Sequence, residues 1–407
     1  MYDVLIRNGR VIDPANQMDT VMDVAIQAGK IAEVAAAIDN TSARREIDAQ
    51  GHLVTPGLVD IHAHVIGRGD VDVDGLCGVG AGVTSIIDAG SAMASELPDA
   101  LSVSTPSNVY ALITNHNWPD GFRPPAVSPV DVDGVRAAIN TYPGTVLGIK
   151  VALTPAIIGA YGLEALRKAR EVAEETGTFV MLHVGDIGNP ALSPTPSAVT
   201  AEALAILQAG DVLTHVYSPL TGGPLDENEA LLPALSEACE RGVIMDAAKG
   251  DYGFGWLAAD QILGQGIKPD TVSSDVELHA PANSASGLMV ANRRATGVRV
   301  KSELSLVEYM AFFLALDFTV EEVIGMVTCA PAKAARIADR AGDLSPGKPA
   351  DVSVLALKEG SYRLTDVDGM SRTGRHAFVP VVTLKNGRIY EPSSGPHPWG
   401  FEPPSMQ

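Results

Sequence analysis

The stretch Leu53 to Val65 reads LVTPGLVDIHAHV, and the rest of the chain is organised around it. Pro56-Gly57 turns the backbone into the apolar, β-prone run Leu58-Val59-Asp60-Ile61, which leads to His62 and His64. On a strand, residues i and i+2 point to the same face, so both imidazoles project together from the strand's C-terminal end. Neutral imidazole is the commonest protein ligand for zinc and related ions, and two on one face supply half a metal site. An H-x-H pair alone is a weak signal, because most such pairs in a random sequence are incidental. Its meaning depends on what other strands bring to the same place.

Downstream, strands alternate with helices. Apolar, β-branched strands are predicted at 54–61, 83–88, 109–115, 146–152, 179–184, 211–217, 243–247 and 271–276. Apolar spacings of three and four predict helices over Glu164 to Glu175, Ala198 to Gln208, Glu229 to Arg241 and Trp256 to Leu263. Continuous apolar strands alternating with amphipathic helices imply a parallel sheet covered by helices. Eight such units suit a (β/α)8 TIM-like barrel better than an open doubly wound sheet. No Gly-rich phosphate-binding fingerprint follows the first strand, which weakens the dinucleotide-binding alternative.

Both ends of the chain read differently. Val4 to Arg7 leads into Asn8-Gly9, a hairpin-type turn pair, then Arg10 to Ile12; Val24 to Ile26 and Ile31 to Val34 flank a turn at Gly29-Lys30. The phrase IRNGRVIDP at 6–14 returns as LKNGRIYEP at 384–392, after a strand at Asp351 to Leu355. Two ordinary hairpins sharing a favourable NGR turn would explain the echo. We favour one β-sandwich domain built from both termini, 1–53 and 343–407, around a barrel at 54–342.

The composition is that of a folded globular protein, with 46% apolar and 19% charged residues among 407. No eighteen-residue apolar stretch appears, and MYDVLIRNGRVIDP lacks the basic region and apolar core of a signal peptide, so a soluble, cytoplasmic protein is expected. The three cysteines, Cys77, Cys239 and Cys329, are widely spaced, which suggests small buried or half-buried hydrophobes and neither disulfides nor a thiolate zinc site. A formal charge of −20 opposes nucleic acid or an anionic membrane as partner and leaves a small-molecule substrate and a homo-oligomer open.

In such barrels function sits at the C-terminal ends of strands. Those ends carry His62 and His64, then Lys150, His183, His215 and Asp275, each interrupting or ending an apolar strand. A single one of them reads best as a hydrogen-bonded core residue. All six on one rim favour a metal site. Lys150 in VLGIKVAL would be a buried ammonium, costly unless neutralised or paired.

This set, with the opening N-G-R and P-G-L-V-D-I-H-A-H and the closing LSPGKPAD at 344–351, resembles the amidohydrolase superfamily over nearly the whole chain. Within it the chain is similar to the dihydroorotase-like branch, and GDYGFGW at 250–256 with Ser274-Asp275-Val276 points to its deacetylases of N-acyl amino acids and acylated hydroxy acids. The resemblance implies two divalent ions, zinc first with manganese or iron as alternatives. It implies that His62, His64 and Asp275 hold one ion, that His183 and His215 hold the other, and that a carboxylated Lys150 bridges them. It implies further that the ions share a hydroxide that attacks an amide or ester carbonyl, with Asp275 as proton shuttle.

Around this core the sequence is less decisive. His279 could face the pocket or sit in a loop, and Asn115, His116 and Trp118 after the third strand could line a substrate pocket. Arg123 reads as a carboxylate anchor or as a solvated loop residue, and His52, His376 and His397 fall off the rim. A cyclic amidase of the dihydroorotase or hydantoinase kind is the enzymatic alternative. A metal-free scaffold relative is the alternative of another class, opposed by the complete ligand set.

Overall fold

The computed structural model describes residues 1–39, 43–67, 72–97, 101, 103–115, 130–187, 192–277 and 304–393. Its N-terminal part forms β1 (Val4–Asp13), β2 (Met18–Gln27), β3 (Lys30–Ala35), β4 (Arg45–Asp48) and β5 (Leu53–Pro56). Asn8-Gly9 is not a hairpin turn. β1 runs straight through it with a register shift between Ile6 and Gly9 against β2, and Asn8 adopts φ 60°. A Cβ on Gly9 would lie 2.3 Å from Val54 Cγ2, so the bulge also lets β5 pack closely. The two-residue turn joins β2 to β3 at Ala28-Gly29, with φ 51° and 75°, one residue before the expected pair.

The barrel follows: β6 (Leu58–His64), β7 (Val83–Met93), β8 (Asn108–Thr114), β9 (Val146–Ala152), β10 (Phe179–His183), β11 (Val212–Thr214), β12 (Ile244–Ala248), β13 (Thr271–Ser273) and β14 (Val276–Glu277). The run expected as one strand over 54–61 is two, β5 and β6, in different sheets. Gly57 is the joint, where a Cβ would stand 2.3 Å from Thr84 Oγ1. Each barrel strand pairs in parallel with the next from β6 to β13, while β14 pairs in parallel with β6. β13 and β14 are two pieces of one chain segment, separated by Ser274-Asp275, so the ring closes at eight strands. The eighth strand therefore changes partner at Asp275, whose φ is 50°.

Helices cover the barrel where the apolar spacing placed them. Glu164–Thr176 buries Ala165, Leu166, Ala169, Val172 and Ala173 and stops at Gly177 with φ 68°. Ser197–Ile206 and Trp256–Gly264 lie close to expectation. The helix expected from Glu229 is Pro233–Glu240, because Glu229 stands at φ 64° and Pro233 suits the first turn. Cys239 on this helix is exposed, contrary to the buried or half-buried place expected of it; Cys77 is buried and Cys329 intermediate. No helix among the described residues is long and apolar enough to cross a membrane.

The chain returns as β15 (Val352–Thr365), β16 (Ser371–Lys385) and β17 (Arg388–Tyr390). Here Asn386-Gly387, at φ 49° and 75°, does make the two-residue hairpin turn. One eight-stranded sheet runs β17-β16-β15-β5-β1-β2-β3, with β4 on β1, so both copies of the NGR phrase lie in it. Val354 opposite Val54 marks where the two ends of the chain meet. Its core combines Val4, Ile6, Val11, Val24 and Ile26 with Leu344, Val352, Val354, Val382 and Leu384. Burying an aliphatic side chain is worth about 1.5–3 kcal/mol, and a whole domain nets about 5–15 kcal/mol. Deleting residues 343–407 removes enough of this core to cancel that margin and exposes the edge of β5. The truncated chain is expected to aggregate or lose cooperative melting in a thermal scan; a soluble, cooperatively folded truncation would contradict it.

Candidate metal centre and active site

The six ligand-type side chains converge at the C-terminal mouth of the barrel. β6 carries His62 and His64 on one face, and β9 carries Lys150. His183 ends β10, His215 follows β11, and Asp275 sits at the break in the eighth strand. His215 and Asp275 both stand in the left-handed region, at φ 68° and 50°, a conformation costly for non-glycine residues. That backbone ends the short strand β11 at Thr214, where 211–217 was expected to continue, and lets both residues leave strand geometry at the rim. The Asp275 amide donates to the His62 carbonyl at 2.7 Å, which holds the break in place.

Hydrogen bonds fix the outer nitrogen of every imidazole. His62 Nδ1 donates to Thr214 Oγ1 at 2.8 Å, and that hydroxyl donates to Asp246 Oδ2 at 2.7 Å. His64 Nδ1 donates to Ser91 Oγ at 3.1 Å, and Ser91 donates to Asp88 Oδ2 at 2.8 Å. Each hydroxyl has given its one proton to a carboxylate and can only accept from the ring. His183 Nε2 donates to the Gly185 carbonyl at 2.9 Å and His215 Nδ1 to the Ala248 carbonyl at 3.2 Å. The inner nitrogen of each ring is thereby left free to take a metal ion or a second proton.

Those inner atoms crowd together. His62 Nε2 and His64 Nε2 lie 3.1 and 3.2 Å from Asp275 Oδ1, and His215 Nε2 lies 3.8 Å from Oδ2. Lys150 Nζ is 2.9 Å from His62 Nε2. The His183 and His215 rings are 4.4 Å apart, and His62 and His215 5.1 Å. Five of the six residues are buried, and His64 is half-buried.

Electrostatics follow from that burial. Burial pushes His183 down to about 3 and His215 well below its usual range, so both are neutral. For His62, burial and Lys150 oppose the imidazolium, but the Asp275 and Asp246 carboxylates outweigh them and raise its pKa. Burial also opposes ionisation of Asp275, yet His62 and His64 hold it well below the usual carboxylate range. Burial lowers Lys150 to about 8, against the pull of Asp275 and Asp246, so neutral amine is accessible near neutrality.

The arrangement fits a divalent cation. His62, His64 and Asp275 offer ligand atoms within 4.8 Å of one another. His215 Nε2 is buried and has no hydrogen-bond partner among the described residues, an orphan that a cation would satisfy. Packing does not explain Lys150, since the several kcal/mol needed to bury an ammonium exceeds the return on an aliphatic side chain at that position, about 1.5–3 kcal/mol.

The loop after β12 presses its backbone onto the centre. A Cβ on Gly250, at φ 47°, would sit 2.2 Å from Asp275 Oδ2, and one on Gly253 would sit 2.3 Å from His215 Nδ1. Gly250→Ala is expected to displace the Asp275 carboxylate and lower turnover about 10²-fold, the scale of an ångström-sized misplacement. Turnover at the wild-type level, in protein with an unchanged circular dichroism spectrum, would contradict this close approach.

Among the other residues singled out in the sequence, Asn115 donates its amide to the Ala165 carbonyl of the outer helix at 2.7 Å, which ties β8 to that helix. His116, Trp118, Arg123 and His279 lie outside the described residues. Sequence reading missed Asp88, Ser91, Thr214 and Asp246, which stand behind His62 and His64. The rule that flagged His183, a polar residue inside an apolar strand, would also have flagged Asp88 in VTSIID and Asp246 in VIMDA.

Comparison with known proteins agrees with this geometry. Residues 255–389 match the model of the Amidohydrolase family. A deacetylase of Enterococcus faecalis (strain ATCC 700802 / V583) is 29% identical over 399 residues, covering 96% of this chain and 99% of that one. A crystal structure of an adenine deaminase superposes with a TM-score of 0.82 at 28% identity, covering 96% of this chain and all of the other (100%). A dihydroorotase structure, at 24% identity, shares the fold with a TM-score of 0.77 over 96% of this chain and 98% of its own. On its closed barrel, its ring of ligand-type side chains and these matches, the chain is similar to the amidohydrolases, most directly over residues 255–389, and is a hydrolase of the kind that acts on carbon–nitrogen bonds.

Proposed function

We propose that the chain is a deacetylase with a centre of two divalent ions, zinc by preference, that hydrolyses an N-acyl amide or O-acyl ester of a small carboxylate-type substrate. The observation that carries this reading is the ring of imidazoles, each donating outward, with the inner nitrogens of His62, His64 and His215 beside Asp275 and the His183 ring 4.4 Å from that of His215. His62, His64 and Asp275 would hold one ion, and His183 and His215 the other. Lys150, once its amine has added carbon dioxide, would join the two as an anionic oxygen ligand. When bound, such ions polarise a carbonyl and lower the pKa of water toward about 7.

The chain's own part is proton transfer, orientation and exclusion of bulk water. Asp275 is ionised at neutral pH, so it enters as the base that takes the proton of the attacking water at a carboxylate oxygen. The same oxygen then returns that proton to the leaving amine or alcohol. Gly250 and Gly253 keep the loop backbone against Asp275 and His215 and fix where that carboxylate stands. The formal charge of −20 fits a small-molecule substrate and opposes nucleic acid and anionic membrane as partners.

The deacetylase name of a relative that the chain matches end to end supports acyl cleavage. The dihydroorotase-titled structural neighbour keeps ring-opening of a cyclic amide as the second reading, and the adenine deaminase adds release of ammonia from a purine. A panel of N-acetyl amino acids, acylated hydroxy acids, dihydroorotate, hydantoins and adenine separates them. The proposal expects turnover confined to the first two classes. Turnover of a cyclic amide or of adenine alone would replace it with the corresponding alternative.

A further inference from the structure

We propose that the two halves of the centre hold their ions unequally, the half of His62, His64 and Asp275 tightly and the half of His183 and His215 weakly, because hydroxyl–carboxylate relays stand behind only the first. This rests on the two-ion reading above. Thr214 links His62 to Asp246, and Ser91 links His64 to Asp88. Both carboxylates are fully buried and held as acceptors by several donors. Asp246 accepts from Thr214, Thr271 and Ser273 at 2.7–3.0 Å. Asp88 accepts from the backbone amides of Val65, Ile66 and Ser91 and from the Ser91 hydroxyl, all at 2.8 Å.

A hydrogen bond to an ionised acceptor is stronger than one to a neutral acceptor, and it makes the opposite ring nitrogen a better electron donor. His62 and His64 receive this support through their hydroxyls. His183 and His215 have only the neutral carbonyls of Gly185 and Ala248 behind them. The first half also contains the Asp275 oxygen, 3.1 and 3.2 Å from its two ring nitrogens. Thr214, Asp246, Ser91 and Asp88 are positioning residues: they act through the two histidines, and removing one link should cost metal affinity of the order of 10–100-fold.

The test loads the full-length protein with zinc, equilibrates it against graded EDTA and measures zinc per chain by elemental analysis. Wild type should lose its zinc in two steps separated by at least about tenfold in free EDTA. Thr214→Val and Ser91→Ala, on different strands, should each move the tight step to about 10–100-fold lower EDTA and leave the weak step in place. Thr214→Ser, which keeps the hydroxyl, should release zinc like wild type. Far-UV circular dichroism of each variant checks the fold, and the two relays are independent, so either variant alone still tests the inference. A single release step in wild type, a relay variant that loosens the weak step instead, or Thr214→Ser behaving like Thr214→Val would overturn it. Wild type that binds no zinc would overturn the two-ion reading itself, and this inference with it.

Discussion

Asp275→Asn is expected to lower turnover about 10²–10⁴-fold, the usual contribution of general acid–base catalysis, while keeping most of the protein's metal. Asparagine retains an oxygen of similar size next to His62 and His64, so the ligand contact survives. It has no basicity, so it cannot take a proton from the attacking water or return one to the leaving group. Elemental analysis beside steady-state kinetics reads both quantities. Near-normal turnover of the variant would reduce Asp275 to a ligand and assign the proton to another group at the rim.

Lys150→Ala is expected to behave differently, with metal content and turnover falling together. Lys150 contacts His62 in the middle of the site, so its loss opens a cavity between the two halves. On the proposed two-ion reading this removes an anionic oxygen ligand and would weaken both halves, so turnover should drop beyond detection in a standard assay. Short carboxylic acids supplied with zinc should refill the space and restore part of the rate, because they return a carboxylate without restoring the side chain. A Lys150→Ala protein with full metal and full rate would make Lys150 a packing residue and remove the bridge from the mechanism.

The barrel was legible because parallel strands buried on both faces leave apolar runs such as Val146–Ala152 and Phe179–His183. The metal-type residues were legible for the same reason, since a histidine or lysine in such a run has no bland explanation once several share one rim. The backbone irregularities were not. Asp275 and His215 reach the left-handed region without being glycine, so nothing local announces that the eighth strand changes partner or that β11 stops at Thr214. Asn8-Gly9 and Asn386-Gly387 are the same dipeptide, yet one is a bulge and the other a turn, decided by whether the partner strand continues alongside. The relays were hidden by distance along the chain. His62 and Thr214 are separated by 152 positions and meet only across the closed barrel.

The central claim is that this ring of side chains holds metal and works through it. The most direct measurement is the divalent metal content of purified protein, followed through chelation and re-addition with turnover recorded at each stage. The account predicts about two ions per chain, activity that disappears as they are removed and returns with zinc, and no metal-dependent turnover in His62→Ala. A metal-free preparation that is fully active would contradict it.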